Sequence, residues 1–78
     1  MRLQYTSQTE TNTTILDEDG ESRVPATLKV GEIVWFKFDY ERAGKIVAFT
    51  KEQYGKLWIK ISSGGRTYEV TNDDIWFD

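Results

Sequence analysis

The chain has 78 residues, of which 38% are hydrophobic and 14% aromatic, and its formal net charge is −3. A chain of this length buries enough surface for one compact domain but not for two, so we expect residues 1–78 to form a single domain. Cysteine and histidine are both absent, which excludes disulfides, cysteine-based zinc sites and the usual histidine-paired nucleophiles.

Neither membrane insertion nor export is predicted. The longest apolar runs, 33–36 and 46–49, have four residues each, whereas a membrane-spanning helix needs about 20. The N-terminal residues turn polar at once and lack the apolar segment of a secretory signal. We therefore expect a cytoplasmic protein with no membrane partner.

Charge is unevenly distributed along the chain. Formal charges sum to −3 over residues 1–26, +4 over residues 27–66 and −4 over residues 67–78. Acidic ends therefore frame a basic middle, which is the main electrostatic signal in the sequence. The alternative interpretation is a surface of mixed charge that serves solubility alone.

Residues 1–26 have two possible structures. The alternating threonines favour extended backbone, but too few positions are apolar to build a core face. Asp19–Gly20 could turn an extra hairpin, and the alternative is a flexible acidic arm. Pro25 marks the start of the following unit, because a residue without an N–H is unsuited to a central strand.

From residue 28 onward the apolar pattern predicts five short strands. In the first of them Val34, Phe36 and Phe38 alternate with outward residues, which is the period of a strand with one buried face. The five strands are predicted at 34–38, 45–50, 57–61, 66–70 and 75–77. The connections are loops at 39–44 and 51–56, a glycine hairpin at 62–65 and a turn at 71–74 that could be a single 3₁₀ turn. The predicted core is Val34, Phe36, Phe38, Leu57, Ile59, Ile61, Tyr68, Val70, Ile75 and Phe77.

This arrangement is all-β and indicates a small SH3-like barrel of about five antiparallel strands over residues 28–77. The stretches that carry the resemblance are Val30–Phe36, Gly44–Val47, Leu57–Ile59, Gly65–Val70 and Asp74–Ile75. Together they resemble the Tudor and KOW branch of the SH3-like fold. In such barrels a glycine opens the first strand and another ends the loop before the second, and the matching positions here are 31 and 44.

The resemblance implies two kinds of partner. Tudor domains read methylated lysine or arginine through an aromatic cage, and Tyr40 matches the first cage position. The second cage turn usually reads Asp-Tyr-Gly, whereas this chain has Ser62–Gly64. KOW domains commonly contact RNA or RNA polymerase, and the matching segment here is Gly44–Val47.

Three motifs are interpreted as structural. Asp73 and Asp74 are neighbours that point to opposite faces of an extended chain, so a turn or cap role is expected. The acidic run 17–21 lacks the spacing of a calcium-binding EF-hand loop. Gly44–Lys45 lacks the upstream glycine and the following hydroxyl residue of a phosphate-binding loop. We expect no catalytic residue, no metal and no cofactor.

The candidate binding residues are the three tryptophans Trp35, Trp58 and Trp76, which the core assignment leaves facing outward. Exposed tryptophans mark protein interfaces, although such rings can also cap barrel ends or lie under the N-terminal segment. We expect a protein partner or self-association. The alternative partner is nucleic acid, with a base stacked on Trp58 and the phosphates bound by the basic 42–66 region. The negative net charge of the chain disfavours this alternative. The candidate phosphate contacts are Lys45, Lys56, Lys60 and Arg66.

Overall fold

The computed structural model describes residues 4–7, 9–21 and 23–77, with residues 4–7 described by their backbone. Within these ranges the chain is all-β, as predicted, with eight strands in two antiparallel sheets and one 3₁₀ turn. The strand pairings give two linear sheets, and none of the pairings among the described residues closes a barrel. No helix in these ranges has the length and apolar character needed to cross a bilayer.

The N-terminal sheet has three strands in the order β1-β2-β3. The strands are β1 (Gln4–Ser7), β2 (Glu10–Leu16) and β3 (Arg23–Lys29). Strands β2 and β3 pair in register from Glu10 opposite Lys29 to Leu16 opposite Arg23. Of the two alternatives for this part of the chain, the structure therefore has the hairpin.

The β2–β3 turn is held by Asp17. Its Oδ1 atom accepts the backbone N–H groups of Asp19 and Glu21, both at 3.1 Å, and its carbonyl accepts that of Gly20 at 3.0 Å. Gly20 has a φ of 75°, a conformation that glycine adopts without a steric penalty. The turn that the sequence places at Asp19–Gly20 thus has a local physical cause.

Strand β3 crosses the boundary drawn at residue 28, because Leu28 pairs with Thr11 inside the N-terminal sheet. Pro25 also lies within β3, opposite Thr14. This position is compatible with proline because β3 is an edge strand, the place in a sheet where proline is tolerated.

The C-terminal sheet has five strands in the order β7-β6-β5-β4-β8. Its elements are β4 (Ile33–Phe38), β5 (Tyr40–Gln53), β6 (Lys56–Ser63), β7 (Arg66–Thr71), the 3₁₀ turn Asn72–Asp74 and β8 (Ile75–Trp76). Strand β5 is much longer than the predicted 45–50, because the chain reverses tightly at Asp39 (φ 68°) and pairs with β4 at once. Two register shifts bend β5 where it pairs with β6.

Gly44 does not end a loop, as the resemblance implied, but is buried in the middle of β5. A Cβ atom at this position would lie 2.5 Å from Ile61 Cγ2 and 2.8 Å from the Ser62 carbonyl oxygen. Glycine is needed here because the backbones of β5 and β6 approach so closely that no side chain fits.

Both sheets contribute to one core. Ile15 and Leu28 come from the N-terminal sheet, and the rest come from the C-terminal sheet: Val34, Phe36, Ile46, Leu57, Ile59, Ile61, Tyr68, Val70 and Ile75. Two predicted core residues are largely exposed, Phe38 at 43% and Phe77 at 37%. Phe38 is the last residue of β4, and its ring packs beside that of Tyr68, with ring centroids 5.1 Å apart.

Asn72 connects the two sheets. Its side-chain NH₂ donates to Thr13 Oγ1 at 2.9 Å and to the Thr14 carbonyl at 2.8 Å, while its Oδ1 accepts the Leu57 N–H at 2.9 Å. Only 4% of Asn72 is exposed. All three of these hydrogen bonds are made inside the protein, and together they hold the 3₁₀ turn against β2 and β6.

Candidate functional site: a tryptophan cleft

Two of the three tryptophans lie side by side on the outer surface of the C-terminal sheet. Trp35 of β4 is directly opposite Trp76 of β8 in the strand register. Trp35 lies between the buried residues Val34 and Phe36, and Trp76 follows the buried Ile75. Strand alternation therefore turns both indoles away from the core, and both remain partly exposed.

The pair forms the floor of a cleft between this sheet and the β2–β3 turn. One depression of about 270 Å³ is lined by Leu16, the turn residues 17–20, Lys37, Glu41, Asp73, Asp74 and Trp76. A second depression of about 390 Å³ is lined by Trp35, Trp76, Glu18, Asp19 and Glu41. Four residues line both depressions, so the two are parts of one continuous cleft, which we call the tryptophan cleft.

The cleft is strongly acidic. Six carboxylates and one ammonium, that of Lys37, line its first depression. Asp73 pairs with Arg23 and also lies 3.7 Å from the Lys56 ammonium. Asp74 Oδ2 accepts the Thr71 hydroxyl at 3.1 Å.

Three other carboxylates of the cleft have no salt bridge of this kind, although Lys37 lies opposite one of them, Glu41, in the strand register. Among the described residues, Glu18, Asp19 and Glu41 form no salt bridge. These are also the three acidic residues that line both depressions, next to Trp76. The negative charge of the cleft is therefore concentrated beside the tryptophan pair.

Arg23 and Asp73 position the acidic turn over the tryptophans. Arg23 is the first residue of β3, and its guanidinium pairs with Asp73 of the 3₁₀ turn. This contact, together with the Asn72 bonds to β2, brings the N-terminal hairpin against the segment that leads into β8. Asp73 and Asp74 thus have the turn and cap roles that the sequence indicated.

Trp58 is not part of this cleft. It lies on β6, which β5 separates from β4, and the Lys51 ammonium is 5.3 Å from its ring centroid. Its carbonyl accepts the Thr50 hydroxyl at 3.2 Å. The three predicted interface tryptophans therefore divide into a pair and a single ring covered by a lysine.

The four candidate basic residues do not form one patch. Lys45 and Lys60 share the outward face of the sheet with Trp58, but Lys60 is opposite Glu69. Lys56 is paired with Asp73. Arg66 is opposite Ser63 at the start of β7. It lies on the same face of that strand as the buried Tyr68 and Val70, and therefore on the opposite face from Lys45 and Lys60.

The predicted cage residue Tyr40 is covered by a cation of the chain itself. The Arg42 guanidinium carbon lies 3.9 Å from the Tyr40 ring centroid and 4.9 Å from that of Tyr68. The arginine thus occupies the position over Tyr40 that a methylated ligand would need.

The described residues contain no group of three or more carboxylates arranged to hold a metal ion. No protein-family model matches the chain, and comparisons with curated proteins and with solved structures give no significant similarity. The site is therefore interpreted from its own geometry. Sequence reasoning missed Glu18, Asp19 and Glu41 as part of it. The hairpin alternative and the acidic charge of residues 1–26 were the available signals for Glu18 and Asp19, and neither pointed to Glu41.

Proposed function

We propose that this chain is a non-enzymatic protein-interaction module whose binding surface is the tryptophan cleft. One observation carries the proposal: Trp35 and Trp76, distant in sequence, are paired on the outer face of β4 and β8 and form the floor of a concave surface. Tryptophan is the residue most enriched among the anchors of protein interfaces, and anchors concentrate where a concave surface excludes water.

We also propose that the C-terminal sheet is a small barrel of the SH3-like type. Three features support it: the strand order β7-β6-β5-β4-β8, the 3₁₀ turn between the two outermost strands, and the long, bent β5 that pairs with both of its neighbours. The Tudor and KOW resemblance concerns this fold alone, because Arg42 covers Tyr40 and the basic residues are dispersed.

The proposed function is tested by selecting binders from a displayed library of random peptides against the full chain. For peptides that bind the cleft, Trp35→Ala and Trp76→Ala should each raise Kd by about 30-fold, the equivalent of about 2 kcal/mol for an interface anchor. Trp58→Ala is the matched control, since it also truncates a partly buried tryptophan on a strand, and should leave Kd unchanged.

Oligomeric state is measured in parallel by light scattering over a concentration series. A dimer that dissociates in Trp35→Ala would support the same surface with a second copy as its partner. The proposal fails if the chain stays monomeric and no selected peptide distinguishes Trp35→Ala from Trp58→Ala. Far-UV circular dichroism and thermal unfolding of each variant separate loss of binding from loss of fold.

Nucleic acid is the alternative partner, and one observation favours it: Trp58, Lys45 and Lys60 share one face. Lys51 already lies over the Trp58 ring, however, and the acidic cleft repels phosphates. Fluorescence anisotropy with single- and double-stranded probes at low salt tests it. Binding that falls steeply with salt and is lost in Trp58→Ala would favour this alternative.

A further inference from the structure

We propose that the occupant of the tryptophan cleft is a cationic side chain, a lysine or arginine presented by a basic segment of the partner protein. This inference rests on the proposed function and adds the chemistry of the partner to it. It follows from the charge of the cleft, from the absence of a cation of the chain over the tryptophan pair, and from the size of the depressions.

The charge of the cleft selects the sign of the ligand. Glu18, Asp19 and Glu41 lie beside the indoles and have no salt-bridge partner among the described residues. A partner cation would form charge-assisted hydrogen bonds to these carboxylates, which are about twice as strong as neutral ones. An acidic ligand would be repelled by the same groups, and a neutral one would gain hydrogen bonds but no attraction between opposite charges.

The aromatic rings add a second, independent reason. Two other rings are contacted by cations of the chain itself: Arg42 lies 3.9 Å from the centroid of Tyr40, and Lys51 lies 5.3 Å from that of Trp58. Tyr54, which is 92% exposed, has no such contact among the described residues. Among the described residues, no lysine or arginine makes such a contact with Trp35 or Trp76. Tryptophan is the ring that attracts a cation most strongly, and this pair lacks the kind of partner that Tyr40 and Trp58 have.

The size of the cleft fits a side chain. The depression of about 270 Å³ is smaller than the range for small-molecule pockets, about 300–1,000 Å³, and the depression of about 390 Å³ lies at its lower end. Most of the residues that line it are charged, whereas cofactor pockets are lined mainly by apolar residues. The stem of a lysine or arginine can lie along the indoles while its charged end reaches the carboxylates.

The experiment is a titration of the full ¹⁵N-labelled chain with two synthetic peptides, followed through the three indole N–H signals. The first peptide alternates glycine with lysine and arginine, and the second replaces each basic residue with glutamine. Trp→Phe variants assign the signals. We expect the basic peptide to shift the Trp35 and Trp76 signals and not the Trp58 signal, and the glutamine peptide to shift none.

Charge-matched variants separate a site from general attraction between an acidic protein and a basic peptide. Glu41→Gln removes one charge from the cleft and should raise Kd by about fivefold, the value of an exposed ion pair near 1 kcal/mol. Glu52→Gln removes the same charge from the exposed end of β5, outside the cleft, and should change Kd less than twofold.

Each failure has a distinct meaning. Equal losses in Glu41→Gln and Glu52→Gln, or shifts at Trp58 as large as those at Trp35, would overturn the cationic site. If peptides selected from the random library depend on Trp35 and are neutral or acidic, the proposed function stands and this inference is wrong. A dimer that hides both cleft indoles would also overturn it, because a second copy would then be the occupant.

Discussion

Replacing Asn72 with alanine should destabilise the protein far more than its position in a three-residue turn suggests. The substitution removes three hydrogen bonds of 2.8–2.9 Å, which run to Thr13, Thr14 and Leu57. Water cannot replace them without opening the structure, because Asn72 is 96% buried, with 4% of its surface exposed. The Thr14 carbonyl and the Leu57 N–H would lose the bonds that this side chain supplies.

The magnitude follows from the cost of a buried group that loses its partner. Each such group costs about 1–3 kcal/mol. The Thr13 hydroxyl only accepts a bond from Asn72 and keeps its own O–H as a donor, so the other two groups dominate and we expect a loss of about 2–6 kcal/mol. A domain of this length has a total stability of about 4–12 kcal/mol. The variant should therefore unfold at a much lower urea concentration, and it would be largely unfolded if the starting stability is at the lower limit.

The assay is urea denaturation followed by tryptophan fluorescence, with stability taken from the midpoint and the slope. Asn12→Ala is the matched control, because Asn12 Oδ1 accepts a hydroxyl bond from Thr27 at 2.7 Å on the exposed side of the hairpin. We expect it to cost less than about 1 kcal/mol. Thr13→Val removes one of the three partners at nearly constant volume and covers the case in which Asn72→Ala does not fold. A loss for Asn72→Ala no larger than that for Asn12→Ala would refute the reasoning.

Three further predictions concern the packing and the cleft. Gly44→Ala should cost about 1–3 kcal/mol or more, because the added methyl would lie 2.5 Å from Ile61 Cγ2; an unchanged urea midpoint would contradict it. Lys37→Gln removes the only ammonium that lines the first depression, and it should lower the Kd of a basic peptide by about two- to threefold. Isothermal titration calorimetry measures this change, and weaker binding would count against the cationic site. Arg23→Gln should cost less than about 1 kcal/mol in stability, since the Arg23 side chain is half exposed and the ion pair is partly open to solvent. The substitution should nevertheless shift the indole signals of the cleft, and unshifted signals would show that the pair does not position the acidic turn.

Much of the C-terminal sheet was predictable, because a strand with one buried face has a period of two that is visible in the residues themselves. Leu57, Ile59 and Ile61 alternate on β6 and are all fully buried. The 3₁₀ turn at 72–74 was also predictable from its polar residues. The extent of β5 was not predictable from the sequence. Gly44 and the polar residues before it have the composition of a loop, and they form a strand because β4 and β6 pair with them on either side.

For a related reason, the sequence could not decide between a hairpin and a flexible arm for residues 1–26. Its strands bury Thr11, Thr13 and Thr14, and buried threonines have no hydrophobic signal in the sequence. They are stable inside because hydroxyl and backbone groups find partners there, such as the amide of Asn72 for Thr13. Such pairing depends on residues far along the chain and cannot be read from a local pattern.

Local sequence therefore determined that the chain is all-β, where most strands lie, which residues of β6 and β7 are buried, and that tryptophans would face away from the core. Tertiary structure alone decided which tryptophans meet. Strand β8 pairs with β4, so Trp76 joins Trp35, whereas Trp58 lies beyond β5 under Lys51. The hairpin then brings Glu18 and Asp19 to the same place. The alternation of side chains along a strand depends on neighbouring residues. The order of strands in a sheet depends instead on which arrangement of the strands buries the most apolar surface, and that is a property of the whole chain.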